Sequence, residues 1–240
     1  MKRRFAALMM VMVLFLSGCN VEEDINVGLL PGELTGETSE PTEIIVPYGA
    51  ATVSTFGIAY AKNYSLNPFV TESRLNVSLA PLMYDSLFVI NSDFEAEKRL
   101  CKGISHSENI YRLTLNSDAK FSDGSPVTAE DVEYSLELAA ASESYGARLK
   151  LVKSCTVEED GGVIIELEKE HGRYELLLDF PVVKDGTGEE EVPLGSGLYT
   201  YEEDSAGAYM KFNRENWRGV SSEFTRLELV DLPEADAMIY

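Results

Sequence analysis

The chain has few basic residues, few cysteines and histidines, and no long apolar run after its first residues. Its 240 residues include 20 Lys and Arg against 41 Asp and Glu, which gives a formal net charge of −21. So acidic a surface is repelled by nucleic-acid phosphates and anionic lipid headgroups. We therefore expect no nucleic-acid partner, and no membrane contact through the general surface of the protein.

The scarcity of histidine and cysteine argues against a metal or cofactor site. His106 and His171 are isolated, and no CxxC pair occurs among the three cysteines, so the usual spacing of zinc ligands is missing. We expect no cofactor. In an exported protein Cys101 and Cys155 could form a disulfide, but two small buried apolar side chains are an equally good interpretation.

Motifs of nucleophilic catalysis are also missing. There is no GxSxG, and no serine, histidine and acid are spaced in a way that suggests a triad. Residues Ser117 to Lys120 match SxxK, but they follow a predicted strand and no SDN or KTG accompanies them. Gly195 could begin a GxGxxG motif, but Thr200 stands where the last glycine is needed. We expect that the protein is not an enzyme, and a secreted hydrolase is the weakest of the functional alternatives.

The N-terminus has the pattern of a bacterial export signal. Lys2, Arg3 and Arg4 precede an apolar run from Phe5 to Leu16 that is too short for an ordinary membrane span. The run leads into Leu-Ser-Gly-Cys, which resembles a lipobox. Residues 1–18 are therefore predicted to be a lipoprotein signal peptide. Cleavage would leave Cys19 as a lipid-modified N-terminus that anchors the protein to the outside of the bacterial cell membrane.

Residues 19–42 are predicted to form a flexible acidic tether. They contain no Lys, Arg or aromatic residue, and Pro31, Gly32, Gly36 and Pro41 interrupt the remainder. Such a composition cannot bury enough apolar surface to fold. We expect the folded part to begin at residues 43–50, a short β-rich run.

Beyond the tether the sequence predicts an irregular α/β fold. The spacing of Leu79, Leu82, Met83 and Leu87 indicates an amphipathic helix, in which Pro81 implies a kink or a late start. Short strands are predicted at Leu87–Asn91, at Tyr111–Asn116, where apolar and polar residues alternate, and at Val163–Glu168. A short helix before Pro181 and a hairpin around Asp204–Gly207 complete the prediction.

The acidic segment KFSDGSPVTAEDVEYSL, residues 120–136, is explained by local folding rather than by chemistry. If Gly124 took the sixth position of an EF-hand loop, Ala119 and Phe121 would fall on ligand positions, and neither can bind calcium. Asp123-Gly124 instead predicts a turn. Thr128 and Asp131 then predict the start of a helix, whose buried face contains Val132, Leu136 and Ala139 or Ala140.

This segment closely resembles the signature of the family 5 extracellular solute-binding proteins of ABC transporters, the oligopeptide, dipeptide and nickel type. Other segments resemble further elements of that family in the same order. They are SLNPF, LAPLMYDSLF, VKSCTVEEDGGVIIELE, PLGSGLYTYEE and MKFNRENWRG. The resemblance extends over about residues 43–240.

The resemblance implies the first lobe of a type II periplasmic-binding-protein-like α/β fold. Residues 43–75 and 185–240 would form the core of that lobe, and residues 76–184 an inserted α+β subdomain. By analogy, Glu72, Ser73 and Arg74 would line the ligand cleft and pair with a peptide backbone, and Tyr145 would touch the ligand. Glu72 and Arg74 as a solvated surface pair, and Tyr145 as ordinary packing, are equally good interpretations.

The resemblance also implies a function and its partners. The protein would be the lipid-anchored receptor of an ABC importer for peptides, which delivers its ligand to the permease, although nickel-chelate and oligosaccharide binders share this lobe. Family members are longer, and this chain stops before the region of their second lobe, so we expect that lobe to be absent. The alternative is a surface lipoprotein that uses a single lobe as an interaction module without transport.

Overall fold

Helices and strands alternate irregularly in the computed structural model, which describes residues 55–232. In chain order the strands and helices are β1 Thr55–Tyr60, α1 Arg74–Met83, β2 Phe88–Ile90, β3 Ala96–Lys98, β4 Cys101–Ser107, β5 Ile110–Leu115, α2 Ala129–Ala141, α3 Gly146–Leu149, β6 Val152–Val157, β7 Val163–Leu167, a 3₁₀ turn Tyr174–Leu177, β8 Tyr199–Asp204, β9 Gly207–Phe212 and β10 Arg226–Asp231. The predicted signal peptide, Cys19, the tether and the run at residues 43–50 lie outside the described residues.

The strands form two four-stranded sheets and one small hairpin. One sheet has the order β1-β10-β9-β8, in which β1 and β10 are parallel and the remaining pairs antiparallel. The second sheet, β4-β5-β7-β6, is antiparallel throughout. The strands β2 and β3 form a separate two-stranded antiparallel sheet. The first sheet thus combines the beginning and the end of the described chain, and the second comes from its middle.

The local predictions for strands are confirmed. In β5, Tyr111 and Leu113 are fully buried while Arg112 and Thr114 are exposed, which is the alternation of a half-buried strand. The strands β2 and β7 lie within the predicted segments, and β8 and β9 form the hairpin that turns at Asp204–Gly207.

The helix α1 is confirmed, but both of its ends differ from the sequence prediction, since it ends at Met83 and Leu87 of the predicted pattern lies beyond it. It begins at Arg74, so Pro81 lies in its last turn rather than marking a late start. Ser73 is the N-cap, and its hydroxyl accepts a hydrogen bond of 3.3 Å from the Asn76 amide. Pro81 has no backbone N–H to donate to the Val77 carbonyl, so one intrahelical hydrogen bond near the end of α1 is not made.

The helix α2 begins as its acidic residues predict. The Asp131 carboxylate accepts hydrogen bonds from the backbone N–H of Thr128 at 2.7 Å and from that of Asp185 at 2.8 Å. Val132, Leu136 and Ala139 are buried, whereas Ala140 is exposed. Asp131 therefore starts the helix and also attaches it to the segment after Val183.

Two asparagines hold the loop before α1 in place. The Asn67 side chain donates hydrogen bonds of 2.8 and 2.9 Å to the carbonyls of Gly188 and Glu190. The Asn76 side-chain amide donates to three carbonyls of residues 61–65 at 3.0–3.1 Å, and its oxygen accepts from the Ala61 amide at 2.8 Å. The loop held in this way places Phe69 against the N-terminal end of α3, the short helix that follows α2.

Cys101 and Cys155 are both free thiols, so the possible disulfide is not formed. Burial raises the pKa of the Cys101 thiol to about 11 and that of Cys155 to about 12. Among residues 55–232, no helix is long and apolar enough to cross a membrane.

Candidate functional site

A cavity of about 610 Å³ lies beside the C-terminal half of α1, and we call it the α1 cavity. Val77, Ala80 and Pro81 of the helix supply an apolar wall, and Tyr145 and Arg148, from the segment after α2, are also among its lining residues. Its volume is within the range of pockets that bind small ligands. The apolar stripe and the nearby charged groups make it the candidate ligand site.

Tyr145 is held in this wall by contacts with three residues, Phe69, Arg148 and Ser142. Its ring meets the Phe69 ring edge-on, with 6.1 Å between the centroids, and the Arg148 guanidinium lies 4.9 Å from its centroid. Its backbone N–H donates a hydrogen bond of 3.1 Å to the Ser142 hydroxyl. Burial raises the pKa of the Tyr145 phenol to about 12, so the ring stays neutral at physiological pH.

An ion pair forms another part of the lining. Arg148 approaches Asp179 with 2.7 Å between a terminal guanidinium nitrogen and a carboxylate oxygen. The side chains of both residues are about a third or less exposed. The pair connects α3 to the segment that leads into Pro181.

A buried carboxylate lies at the end of α1. Asp85 is only 4% exposed, and its Oδ2 accepts hydrogen bonds from Trp217 Nε1 at 2.9 Å and from the Ser196 hydroxyl at 3.3 Å. Arg218 lies 3.4 Å from Oδ1. Burial raises the pKa of Asp85, while Arg218, Trp217 and, more weakly, Arg99 oppose this shift by stabilising the charged form.

Two glycines allow this arrangement. A Cβ on Gly195 would lie 2.1 Å from the Met83 carbonyl oxygen, and one on Gly197 would lie 2.4 Å from the Met83 carbonyl carbon. Gly197 also donates its backbone N–H to the Met83 carbonyl at 2.9 Å. These two glycines therefore allow their segment to pack closely against the backbone at the end of α1. Ser196, between them, donates its hydroxyl hydrogen bond to Asp85.

The residues predicted to contact ligand lie in two places. Glu72 and Arg74 are exposed around the start of α1, while Ser73 between them is fully buried as the N-cap. Tyr145 lines the α1 cavity, whereas the other three do not. Their contact with a ligand remains a prediction, and Cys19 lies outside the described residues.

Sequence reasoning missed the charged residues of the site. Asp85, Arg148, Asp179 and Arg218 were not singled out, although Asp85 and Arg218 lie inside segments that carry the family resemblance. An acidic residue directly after an apolar helix was the available signal for Asp85. For Arg148 and Asp179 no local signal existed, because their pairing depends on the folded chain.

A second hollow, of about 750 Å³, lies beside the β8–β9 hairpin. Its Lys211 is paired with Glu202 at 2.9 Å, and both side chains are more than a third exposed. It lacks the buried polar groups that fix a ligand's orientation, so it is a weaker candidate. Between Thr55 and Leu232, no group of three or more His, Cys, Asp and Glu could hold a metal ion.

Comparison with known proteins gives a family match. Residues 95–239 match the sequence profile described as bacterial extracellular solute-binding proteins, family 5 Middle. That range is more than half of the chain and includes α2, Tyr145 and two of the segments that contact Asp85, those of Ser196 and Trp217.

Two characterised relatives have low but extended similarity. The glutathione-binding protein GsiB of Salmonella typhi is 24% identical over 220 residues, a match that covers 80% of this chain and 43% of the relative. The oligopeptide-binding protein AppA of Bacillus subtilis is 26% identical over 237 residues, covering 88% of this chain and 41% of the relative. The chain thus spans less than half the length of these relatives.

Solved structures show the same fold. AppA of Bacillus subtilis in complex with a nonapeptide superimposes with a TM-score of 0.63 at 18% identity, over 77% of this chain and 41% of that chain. An ABC transporter substrate-binding protein from Sinorhizobium meliloti gives the same four values. The predicted periplasmic-binding-protein-like α/β fold is therefore confirmed, and the matched part is less than half of each neighbour.

Proposed function

The chain belongs to the bacterial extracellular solute-binding proteins of family 5, and we propose that it acts in an ABC importer by binding peptides outside the cytoplasmic membrane. The observation that carries this proposal is the family match together with a cavity of ligand size that residues of the matched region line in part. Catalysis is not part of the proposed role, because binding and release of a solute need no covalent step.

Two features of the α1 cavity support a peptide as the solute. Its apolar wall of Val77, Ala80 and Pro81 suits an apolar side chain, while the neighbouring charged groups suit the polar ends of a short chain. The relatives also favour this class: GsiB is named for glutathione, a tripeptide, and the AppA structure holds a nonapeptide. We propose that the peptide backbone is contacted, outside the α1 cavity itself, by Glu72, Ser73 and Arg74 at the start of α1.

The proposal is tested with the purified 240-residue chain and a set of tripeptides, with binding measured by native mass spectrometry and calorimetry. We expect saturable binding of at least one tripeptide. The Tyr145→Ala substitution should weaken it by about tenfold, because loss of one well-packed aromatic contact removes about 1.4 kcal/mol. Tyr145→Phe keeps the ring and is the matched control.

Thermal unfolding of both variants separates loss of the contact from loss of the fold. A Tyr145→Ala protein that unfolds as the parent does and binds with the same affinity would remove Tyr145 from the site. Failure of every tripeptide to bind would contradict the peptide-binding role and favour the alternative, a lobe used for interaction with another protein.

We also propose that Cys19 carries the lipid anchor, after removal of residues 1–18, and that residues 19–42 lift the folded part from the membrane. The lipobox-like sequence supports this proposal. Cys19→Ala should release the protein from the cell surface or leave the signal unprocessed, which fractionation and mass spectrometry would detect. Retention and lipid labelling of this variant at the parent level would contradict the anchor.

For the organisation of the protein, we propose that residues 43–75 and 185–240 form the core of the first lobe and residues 76–184 its inserted subdomain. The two four-stranded sheets support this assignment, since one is built from strands near both ends and the other from residues 101–167. An ABC permease is the proposed partner. Co-purification after cross-linking in the cell membrane is the test of that contact.

A further inference from the structure

We propose that Phe94, in the turn between β2 and β3, docks the protein onto its permease by inserting its ring into an apolar pocket with a basic rim. This inference rests on the proposed function for the identity of the partner. We call residues 91–97, which form the turn and the start of β3, the hairpin tip. None of the sequence motifs had indicated this surface.

The backbone of Phe94 has a conformation that its side chain disfavours. Its φ is 58°, in the left-handed region, where the Cβ comes too close to the following carbonyl oxygen. Glycine and asparagine adopt this conformation at the least cost, and a bulky residue there is an outlier. Such an outlier persists only where the surrounding structure imposes it, and outliers of this kind cluster at functional sites.

The side chain of Asn91 imposes the conformation of the turn. Its Oδ1 accepts hydrogen bonds from the backbone N–H of Asp93 at 3.0 Å and from that of Glu95 at 2.9 Å. The Phe94 N–H donates to the Asn91 carbonyl at 3.1 Å, and Arg173 Nη2 donates to the Phe94 carbonyl at 3.2 Å. The hairpin tip is therefore held in one conformation, which reduces the entropy that is lost when a partner binds it.

The aromatic ring at this position has no role in the packing of the described residues. Phe94 is 77% exposed, the largest value among the exposed large apolar residues between Thr55 and Leu232, and it does not belong to their hydrophobic core. A single exposed apolar side chain is common by itself. Glu108, in the turn between β4 and β5, has a similar φ of 55°, but its charged side chain is suited to solvent. Phe94 combines the disfavoured backbone with an apolar exposed ring, and a contact outside the chain accounts for both.

The charges around the ring favour a protein partner with basic groups. The hairpin tip contains no Lys or Arg, and its three exposed acidic residues are Asp93, Glu95 and Glu97. Lys98 follows the tip, and Arg173 is directed to the Phe94 carbonyl. Anionic lipid headgroups repel such a surface, and so does a second copy of a chain whose formal net charge is −21. An apolar pocket with a basic rim complements it, and aromatic side chains are enriched at the centres of protein interfaces.

The hairpin also contributes to the candidate ligand site. Val89 of β2, which pairs with Glu97 of the hairpin tip, lines the α1 cavity. A protein bound at the tip is therefore in contact with an element of the cavity wall. Release of a solute to a permease requires that docking change the ligand site, so this connection favours the permease as the partner.

Two substitutions by asparagine test whether the ring of Phe94 is needed for folding. Phe94→Asn and Glu108→Asn each place asparagine at a left-handed position of a hairpin turn, a conformation that asparagine tolerates. Both purified variants should therefore melt at or above the temperature of the parent, by up to about 4 °C. A Phe94→Asn protein that melts more than about 2 °C below the parent would show that the ring stabilises the fold, and the docking proposal would be overturned.

Photo-cross-linking in the cells that make the protein identifies what contacts the ring. The photoreactive p-benzoylphenylalanine replaces Phe94 in one variant and Ile110, an exposed residue at the start of β5, in the control. We expect mass spectrometry to find a permease adduct from position 94 and none from position 110. The adduct should map to a permease segment that combines apolar residues with Lys or Arg. Adducts only with lipid, with a second copy or with another protein, or none above the control, would overturn the proposal.

Separate measurements of peptide binding and permease contact distinguish this inference from the proposed function. Phe94→Asn should bind tripeptides with the affinity of the parent, while its yield of permease cross-linked by formaldehyde in cells should fall by about tenfold or more, as for loss of an interface anchor. Glu108→Asn should retain both properties. An unchanged yield in Phe94→Asn would overturn docking through Phe94 and retain the peptide-binding function. A permease adduct at position 94 in a parent that binds no tripeptide would support docking and contradict that function.

Discussion

The indole N–H of Trp217 donates a hydrogen bond of 2.9 Å to the carboxylate of Asp85, across 132 positions of sequence. Ser196 adds a second hydrogen bond to the same oxygen, and Arg218 lies 3.4 Å from the other. Three segments that carry the family resemblance thus meet at one buried acidic side chain. Asp85 is the point where the end of α1, the Gly195–Gly197 segment and the Trp217 loop are held together.

Removal of the Asp85 carboxylate should destabilise the fold strongly. Asp85→Ala would leave Arg218 buried without its ion-pair partner, and breaking a buried pair in this way costs about 3–5 kcal/mol. Trp217→Phe removes the indole N–H that donates to this charged acceptor and also the packing of the pyrrole ring, so we expect a loss of at least about 1.5–3 kcal/mol. Urea unfolding of both variants measures the change in free energy.

The matched control for the Asp85→Ala and Trp217→Phe variants is Lys153→Gln. This substitution removes a cation from an exposed ion pair with Glu166. Its expected effect is within about 1 kcal/mol. A Trp217→Phe protein as stable as the Lys153→Gln protein would show that the hydrogen bond to Asp85 does not stabilise the fold.

The turn before α2 should make the stability sensitive to acid. The Lys184 ammonium lies 2.7 Å from Asp123 Oδ2, and together with Ser125 it lowers the pKa of Asp123 to about 2. A carboxyl group whose pKa is lower in the folded state contributes stability above the unfolded value of about 3.9. That contribution is lost as the pH falls through about 4 towards 2.

The test is the pH dependence of unfolding in Asp123→Asn. Since both side chains are more than a third exposed, the expected loss near neutral pH is only about 0.2–1 kcal/mol, and the difference from the parent should shrink through pH 4 and vanish below about pH 2. Asp118→Asn, an exposed substitution in the same segment, is the control. A constant difference between parent and Asp123→Asn across this range would exclude the proposed linkage.

Glycine at position 195 should be indispensable for packing. A methyl group there would lie 2.1 Å from the Met83 carbonyl oxygen, a backbone atom that cannot swing away. We expect Gly195→Ala to cost about 1–3 kcal/mol or more through overpacking. Gly172→Ala is the control, because nothing lies within 4 Å of its added Cβ. Similar melting temperatures for the two variants would refute the close approach.

The two thiols of the folded region should react only after unfolding. Cys101 is buried, Cys155 is half-buried, and burial raises the thiol pKa values to about 11 and 12. Because the thiolate is the reactive form, alkylation at neutral pH should be slow in the native protein and fast in denaturant. Peptide mapping after iodoacetamide treatment distinguishes these sites from Cys19. Rapid native alkylation of both would contradict the described burial.

Local patterns in the sequence predicted the helices α1 and α2 and five of the ten strands of the described residues, namely β2, β5, β7, β8 and β9. The alternation in β5 and the turn and cap before α2 each depend on residues a few positions apart. The strands β1, β3, β4, β6 and β10 and the helix α3 were not predicted from local patterns, and the start of α1 also differed from the prediction. Pro81 suggested a kink or a late start, but Ser73 and the hydrogen bonds of Asn76 begin the helix well before it.

The sequence by itself determined the family, the α/β class and the type of most elements, because periodicity, caps and ordered motifs are properties of short segments. Only the tertiary structure decided the site. Asp85 receives Ser196 and Trp217 from 111 and 132 positions away, and Arg148 meets Asp179 only because α3 packs against the segment before Pro181. A one-dimensional pattern does not encode which distant side chains meet, so these contacts of Asp85 and Arg148 become visible only in the folded chain.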